Sequence, residues 1–77
     1  MKADNKEMRD KIRRILIKLR TESGLTQSDV GSIVGKSPNA VASWEQGLSL
    51  PDAVTLYKLA KHYNKTMDYM YGERSKK

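Results

Sequence analysis

Apolar residues recur along this chain at helical spacing, in short stretches separated by residues that end helices. The first stretch, from 7 to 23, places its apolar side chains on one helical face: Met8, Ile12, Ile15, Leu16 and Leu19. No segment sustains the alternation of apolar and polar residues that a half-buried strand shows. The sequence therefore predicts an all-α fold.

Four further helices are indicated by their start and stop residues. Thr26 and Asp29 have the spacing of a capping box, and Gly35 suits the end of that second helix. Ser37 followed by Pro38 is a typical start for a third helix. Caps and stops for the remaining helices follow along the chain: Gly47, Asp52, Asn64 and Thr66.

The apolar positions of these helices predict which side chains are buried. The second helix is expected to bury Val30, Ile33 and Val34. The apolar face predicted for the fourth helix comprises Val54, Leu56, Leu59, Ala60 and Tyr63. Gly31 costs helix stability, so we expect another helix to approach it closely. The predicted core comprises Ile12, Leu16, Leu19, Val30, Val34, Val41, Trp44, Leu56 and Leu59.

A chain of 77 residues forms one small domain, which we place at 7–72 between an N-terminal tail, 1–6, and a flexible basic tail, 73–77. With no Cys and a single His, the chain has no disulfide, thiolate zinc site or His-based metal site. No Gly-rich phosphate loop or catalytic triad is present, so we predict neither an enzyme nor a bound cofactor. No apolar run is long enough to span a membrane, and no signal peptide precedes the domain, which predicts a cytoplasmic protein.

The net charge of +6 favours a polyanionic partner. Eight of the 15 basic residues lie within 1–23 and six within 58–77, whereas Lys36 stands alone between them. The basic face of the first helix is either a solvated surface or a phosphate-binding one. Trp44 is expected to pack in the core rather than stack on a base, His62 to be solvated, and the four Tyr to lie in the core or at its rim.

The second and third helices meet through a tight turn, because only Lys36 and Ser37 separate Gly35 from Pro38. Two short helices joined in this way form a helix-turn-helix. A larger set of residues has a specific joint spacing: Leu25-Thr26-Gln27, Val30, Gly35, Ser37, Val41, Trp44-Glu45, Gly47, Pro51 and Leu56-x-x-Leu59-Ala60-Lys61. Through this spacing the chain, from about 12 to 72, resembles the Cro/cI-type (XRE-type, lambda-repressor-like) helix-turn-helix family.

The resemblance implies a compact five-helix bundle whose third helix enters the major groove of double-stranded DNA. On this basis, four residues would face base edges: Pro38, Asn39, Ala40 and Ser43. Four others would lie at the DNA backbone: Gln27, Lys36, Ser37 and Gln46. The family's internal ion pair would join Arg20 to Glu45.

The residue types support some of these roles. Gln27, at a helix N-terminus, is suited to binding a phosphate, although a solvated side chain is the alternative. The Asn39 amide matches the edge of adenine, or else helps to satisfy the first turn of its helix. Pro38 cannot donate a hydrogen bond, and the third helix has no Arg or Lys to read guanine, so a preference for A·T pairs is predicted.

The predicted function is sequence-specific DNA binding that regulates transcription, with a repressor that acts as a homodimer on a pseudo-palindromic operator as the favoured form. Ile17 and the fifth helix, with Tyr69 and Tyr71, are the expected dimer surface. No small-molecule ligand site is evident. Two alternatives stay open: an antitoxin or restriction–modification controller of the same fold, and a helical protein-interaction domain that does not bind DNA.

Overall fold

The computed structural model describes residues 5–72 and contains five α-helices. They are α1 (Asn5–Glu22), α2 (Gln27–Val34), α3 (Pro38–Glu45), α4 (Ala53–Tyr63) and α5 (Met67–Met70). No strand occurs within the described residues, in agreement with the predicted all-α class. Helix α1 begins at Asn5, two residues inside the segment that we predicted as a tail, and the predicted basic tail 73–77 lies outside the described residues.

The predicted starts of α2 to α5 are confirmed, because in each a side chain accepts a hydrogen bond from the backbone N–H three residues later. Thr26 Oγ1 accepts from the amide of Asp29 at 3.0 Å, and the Asp29 carboxylate accepts from the amide of Thr26 at 2.9 Å. Three other caps accept a backbone N–H in the same way: Ser37, Asp52 and Thr66. Gly35 and Asn64 end their helices in the left-handed conformation.

A single core joins all five helices. All nine predicted core residues are buried, and Ala60 and Met70 are buried with them. Trp44 lies inside, as predicted, where it cannot stack on a base. The partly buried residues packed around this core include Tyr63, Tyr69 and Tyr71. Tyr57 is exposed instead, and so is His62, whose ring meets Tyr63 edge-on at 5.1 Å.

Outside those nine residues, two positions that we predicted on buried helix faces are wrong. Ile33 is 40% exposed and Val54 is 63% exposed. Gly31 on α2 and Thr55 on α4 are buried instead. The other predicted positions that are buried are Val30 and Val34 on α2, and Leu56, Leu59 and Ala60 on α4. Ile17, which we expected to be exposed, is half-buried.

The reason for a glycine at position 31 is the turn between α2 and α3, not another helix as predicted. A Cβ added to Gly31 would lie 2.5 Å from the carbonyl oxygen of Lys36 and 3.3 Å from that of Ser37. The amide of Lys36 donates to the Gly31 carbonyl at 2.8 Å, which closes the turn against this position. Because Gly31 has no side chain, the turn that leads into α3 can pack directly against the backbone of α2.

The segment between α3 and α4 runs back beside α3. The amide of Leu48 donates to the Ser43 carbonyl at 3.0 Å, and the hydroxyls of Ser43 and Ser49 are 2.7 Å apart. Farther along, Asp52 lies 3.7 Å from Lys36 Nζ, in the turn that precedes α3. The loop thus starts at the C-terminal end of α3 and returns to its N-terminal end.

Candidate nucleic-acid interface

The first turn of α3 presents two exposed side chains, those of Pro38 and Asn39. Ser37 Oγ accepts the amide N–H of Ala40 at 3.1 Å and so caps the helix. The side-chain amide of Asn39 makes no hydrogen bond with other described residues. Because Ser37 already caps the start of α3, the Asn39 side chain is not needed as a cap. Asn39 thus has its full donor and acceptor capacity available at the surface.

The other two residues predicted to face base edges are less accessible. Ala40 is half-buried and packs against the core cluster. Ser43 is also half-buried, and its hydroxyl is paired with that of Ser49. The polar surface of α3 available to a partner is therefore concentrated at Asn39, with the Ser43–Ser49 hydroxyl pair one turn farther along.

A network of side chains fixes the opposite end of α3. Arg20 donates to both carboxylate oxygens of Glu45, from Nε at 2.7 Å and from Nη2 at 3.0 Å, so the ion pair implied by the family resemblance is present. Gln27 Nε2 donates to Oε1 of Glu45 at 3.0 Å. Arg20 Nη1 also donates to the carbonyl of Leu25 at 3.0 Å. Because Glu45 is only 8% exposed, this network lies largely out of water.

The electrostatics of the network follow from these contacts. The hydrogen bonds from Arg20 to Glu45 raise the pKa of the Arg20 guanidinium, which therefore keeps its charge. Burial raises the pKa of the Tyr63 phenol, and the nearby negative charge of Glu45 adds to that shift. The ion pair thus lies close to the Tyr63 phenol and joins α1 to the end of α3.

Gln27 connects α2 to this network from the first position of its helix. Its amide nitrogen carries two hydrogens, and the bond to Glu45 uses one of them. The remaining hydrogen and the free backbone amides at the start of α2 are donors of the kind that bind phosphate. Gln27 thus supports α3 through a hydrogen bond, whereas the predicted phosphate contact stays a prediction.

The remaining residues predicted at the DNA backbone are all exposed: Lys36, Ser37 and Gln46. Lys36 Nζ lies 3.7 Å from Asp52, an exposed ion pair that contributes little to stability. The amide of Thr55 holds the pKa of Asp52 below its usual range, and Lys36 lowers it further. A phosphate would therefore compete with a carboxylate for Lys36.

Two arginines of α1 also reach α3, and sequence reasoning did not single them out. Arg9 Nε donates to the carbonyl of Gly47 at 2.9 Å, and the side chain of Arg13 packs against the same glycine. Arg9, Arg13 and Arg20 are spaced i, i+4 and i+11, so they share one face of α1. That spacing was the signal available in the sequence.

Among residues 5–72, no group of three or more His, Asp or Glu is placed to hold a metal ion. None of the helices described here is long and apolar enough to cross a membrane. The chemistry offered by α2, α3 and the turn between them is hydrogen-bond donation, together with the single cation of Lys36.

Comparison with known proteins gives a match of the same kind. The family model described as helix-turn-helix matches residues 16–70, which cover the C-terminal part of α1 and all of α2 to α5. The match therefore spans well over half of the chain. No curated protein matches the sequence.

Proposed function

Because the chain belongs to the XRE-type (Cro/cI-like) helix-turn-helix family of DNA-binding regulators, we propose that it represses transcription by occupying an operator, with α3 in the major groove. The observation that carries the proposal is that α3 has an exposed first turn and a last residue bound to other helices. Its first turn exposes Asn39 with an uncommitted amide, and its last residue, Glu45, is tied to two other helices. A helix held in place by its neighbours, with the side chains of its first turn exposed, is suited to reading a groove.

The side chains of α3 set the base preference that we propose. Asn39 matches adenine, to which it can donate and from which it can accept, while Pro38 offers only apolar contact with a thymine methyl or a sugar. No Arg or Lys between Pro38 and Glu45 can make the bidentate contact that selects guanine. The half-site is therefore rich in A·T pairs, and sequence-dependent DNA shape contributes to selection.

Backbone contacts supply most of the affinity. Gln27 at the start of α2 and Lys36 in the turn before α3 both carry donors suited to phosphate. Ser37 and Gln46 are exposed at the two ends of α3 and extend this set. Each phosphate neutralised releases counterions, so the affinity should fall with increasing salt.

The repressor is expected to bind as a homodimer, with half-sites about one helical turn, roughly 34 Å, apart. The surface that we predicted for the dimer is less exposed than expected, because Ile17, Tyr69 and Tyr71 are half-buried and the two tyrosines pack against the core. Large apolar side chains are instead exposed on α4, where Val54 and Tyr57 lie one turn apart.

A second copy of the chain is the partner that fits this face of α4. The face begins at Asp52, an exposed carboxylate that lies 3.7 Å from Lys36 Nζ, and its C-terminal end is basic, with Lys58 and Lys61. When two copies pair antiparallel about a two-fold axis, each acidic end meets a basic end and Val54 meets the partner's apolar side chains. The charges thus complement one another in a symmetric contact.

Selection of binding sites from random double-stranded DNA tests the proposed function. The expected result is a pseudo-palindromic consensus with A·T pairs at the contacted positions. A guanine-rich consensus would contradict the proposed reading by Asn39. Failure to enrich any DNA, even at low salt, would instead favour the alternative of a protein-interaction domain. An adjacent toxin or methyltransferase gene would indicate an antitoxin or a controller protein of the same fold.

A further inference from the structure

Helix α1 begins eleven residues before the segment that matches the helix-turn-helix family. This N-terminal extension lies against the C-terminal end of α3, although the two segments are far apart in the sequence. Arg9 Nε donates to the carbonyl of Gly47 at 2.9 Å, across 38 positions of the chain. The extension is therefore part of the same surface as Gln46, the exposed residue that follows α3.

Arg13 lies one helical turn along α1 from Arg9 and touches the same glycine. A Cβ added to Gly47 would lie 3.2 Å from Arg13 Cδ and 3.8 Å from its Nε. The two arginines thus lie beside a shallow cleft of about 280 Å³, which is lined by Lys6, Asp10, Arg13, Gln46 and Gly47.

The N-terminal part of α1, residues 6–14, has a positive net charge even when its acidic residues are included. Residues 6–14 contain five basic side chains and two acidic ones, which leaves a net charge of +3. Asp10 lies in the cleft, but it is already shared by two cations, with Arg13 Nε at 2.8 Å and Arg14 Nη2 at 2.9 Å. The cleft therefore carries uncompensated positive charge next to the end of α3.

Most of the donors of the two arginines are uncommitted. Arg9 bonds to Gly47 through Nε, and Arg13 bonds to Asp10 through Nε. A guanidinium has five N–H donors, so the terminal amino groups of each side chain keep four. A cation near the last carbonyls of α3 also stabilises that helix end, but one Nε–H is sufficient for that contact.

The dimensions of the groove place DNA backbone at this position. An eight-residue helix is about 12 Å long, which is about the width of the major groove. When the first turn of α3 contacts base edges, its other end, with Gln46 and Gly47, lies at the edge of the groove, where phosphates run.

We propose that Arg9 and Arg13, together with Gln46, bind the phosphate backbone of the DNA at the C-terminal end of α3, with each arginine neutralising one phosphate. The proposal rests on the proposed function, because it takes α3 to lie in the major groove. It gives the basic face of α1 a specific role: the helical extension adds electrostatic contacts that carry no base preference.

The test is a fluorescence-anisotropy titration of the selected operator over a series of salt concentrations. The variants are Arg9→Gln and Arg13→Gln, and the control is Lys18→Gln, which removes one charge from an exposed position of α1. For each arginine variant we expect weaker binding to every DNA sequence by the same factor. The slope of log K against log salt should become shallower by about 0.9 for each phosphate that the variant no longer neutralises. Lys18→Gln should keep the wild-type slope.

Unfolding of a variant would not reproduce this result, because a smaller folded fraction lowers the apparent affinity at every salt concentration without changing the slope. Arg9→Lys, which keeps the charge, should keep most of the wild-type slope. Wild-type slopes in both glutamine variants would overturn this proposal while leaving the proposed function intact. Absence of binding by the wild-type protein would overturn the proposed function and this proposal with it.

Discussion

Gln27, the first residue of α2, donates its side-chain amide to Glu45, the last residue of α3, at 3.0 Å. The two helices of the motif are thus joined at both ends: by the turn that packs on Gly31 and by this hydrogen bond. Arg20 binds the same carboxylate from α1. The angle between α2 and α3 is therefore fixed by contacts inside the domain, before any DNA is present.

Replacement of Glu45 by alanine should be strongly destabilising. The change leaves Arg20 and Gln27 without their acceptor in a site that is largely out of water. We expect the free energy of unfolding to fall by about 3 kcal/mol, near the lower end for a broken buried pair because Arg20 keeps some exposure. Urea denaturation measures it, with Glu22→Ala on exposed α1 surface as the control. A decrease no larger than that of the control would mean that the network does not hold α3.

Gly31→Ala should also destabilise the domain, although alanine is the better helix former. A Cβ at this position overlaps the carbonyl of Lys36 at 2.5 Å, and a backbone atom cannot move aside cheaply. We expect the free energy of unfolding to fall by about 1–3 kcal/mol, the usual cost of overpacking. Ser32→Ala, at the next and exposed position of α2, isolates the gain in helix propensity and should be neutral or slightly stabilising. Equal stability of the two variants in thermal unfolding would contradict the close turn.

The stability of the domain should decrease in acid. Bonds from the backbone amides of Thr26 and Thr55 hold the pKa values of Asp29 and Asp52 below their usual range in the folded state. The stability from each carboxylate is therefore present above the unfolded pKa, about 3.9, and disappears as the pH falls through the folded value.

Unfolding free energies measured at a series of pH values test this linkage. The double variant Asp29→Asn, Asp52→Asn keeps side chains that can still cap, and its stability should fall less steeply below about pH 4 than that of the wild-type protein. Asp68→Asn is the control, since that carboxylate accepts no cap hydrogen bond within the described chain. An unchanged acid profile in the double variant would show that the two caps do not supply this dependence.

A charge introduced on the exposed face of α4 should weaken the proposed dimer without unfolding the domain. Val54 and Tyr57 are exposed, so Val54→Lys costs no core packing, yet it places a cation in the apolar centre of the two-fold contact. Sedimentation on operator DNA should show two copies bound for the wild-type protein and reduced cooperativity for the variant. Ile33→Lys, at an exposed apolar position on α2, is the matched control. A wild-type protein that stays monomeric on the operator would contradict the dimer.

Local features of the fold could be predicted from the sequence, and contacts between distant segments could not. The caps at Thr26, Ser37 and Asp52 depend on atoms three residues apart, so the sequence pattern contains them completely. Ile33 and Val54 were wrongly placed on the inward faces of α2 and α4. A short helix has only a small number of apolar positions, and these are compatible with either of two neighbouring faces.

The site shows the same limit. The ion pair between Arg20 and Glu45 was expected only through the family resemblance, since no spacing rule joins residues 25 positions apart. No local pattern indicated that Ser43 would bond to Ser49, or that Arg9 would reach Gly47 across the domain. These contacts depend on how the α3–α4 loop and α1 pack against α3, which is decided by the whole core.

The most direct test of whether Asn39 reads a base from the exposed first turn of α3 compares wild-type protein and Asn39→Ala on the selected operator and on all its single-base variants. We predict that Asn39→Ala removes the discrimination at one base pair, worth about 1–3 kcal/mol, and leaves the other positions unchanged. Gln27→Ala should instead weaken binding to all these DNAs by a similar factor. Identical base preferences in the wild-type protein and Asn39→Ala would contradict the role of Asn39.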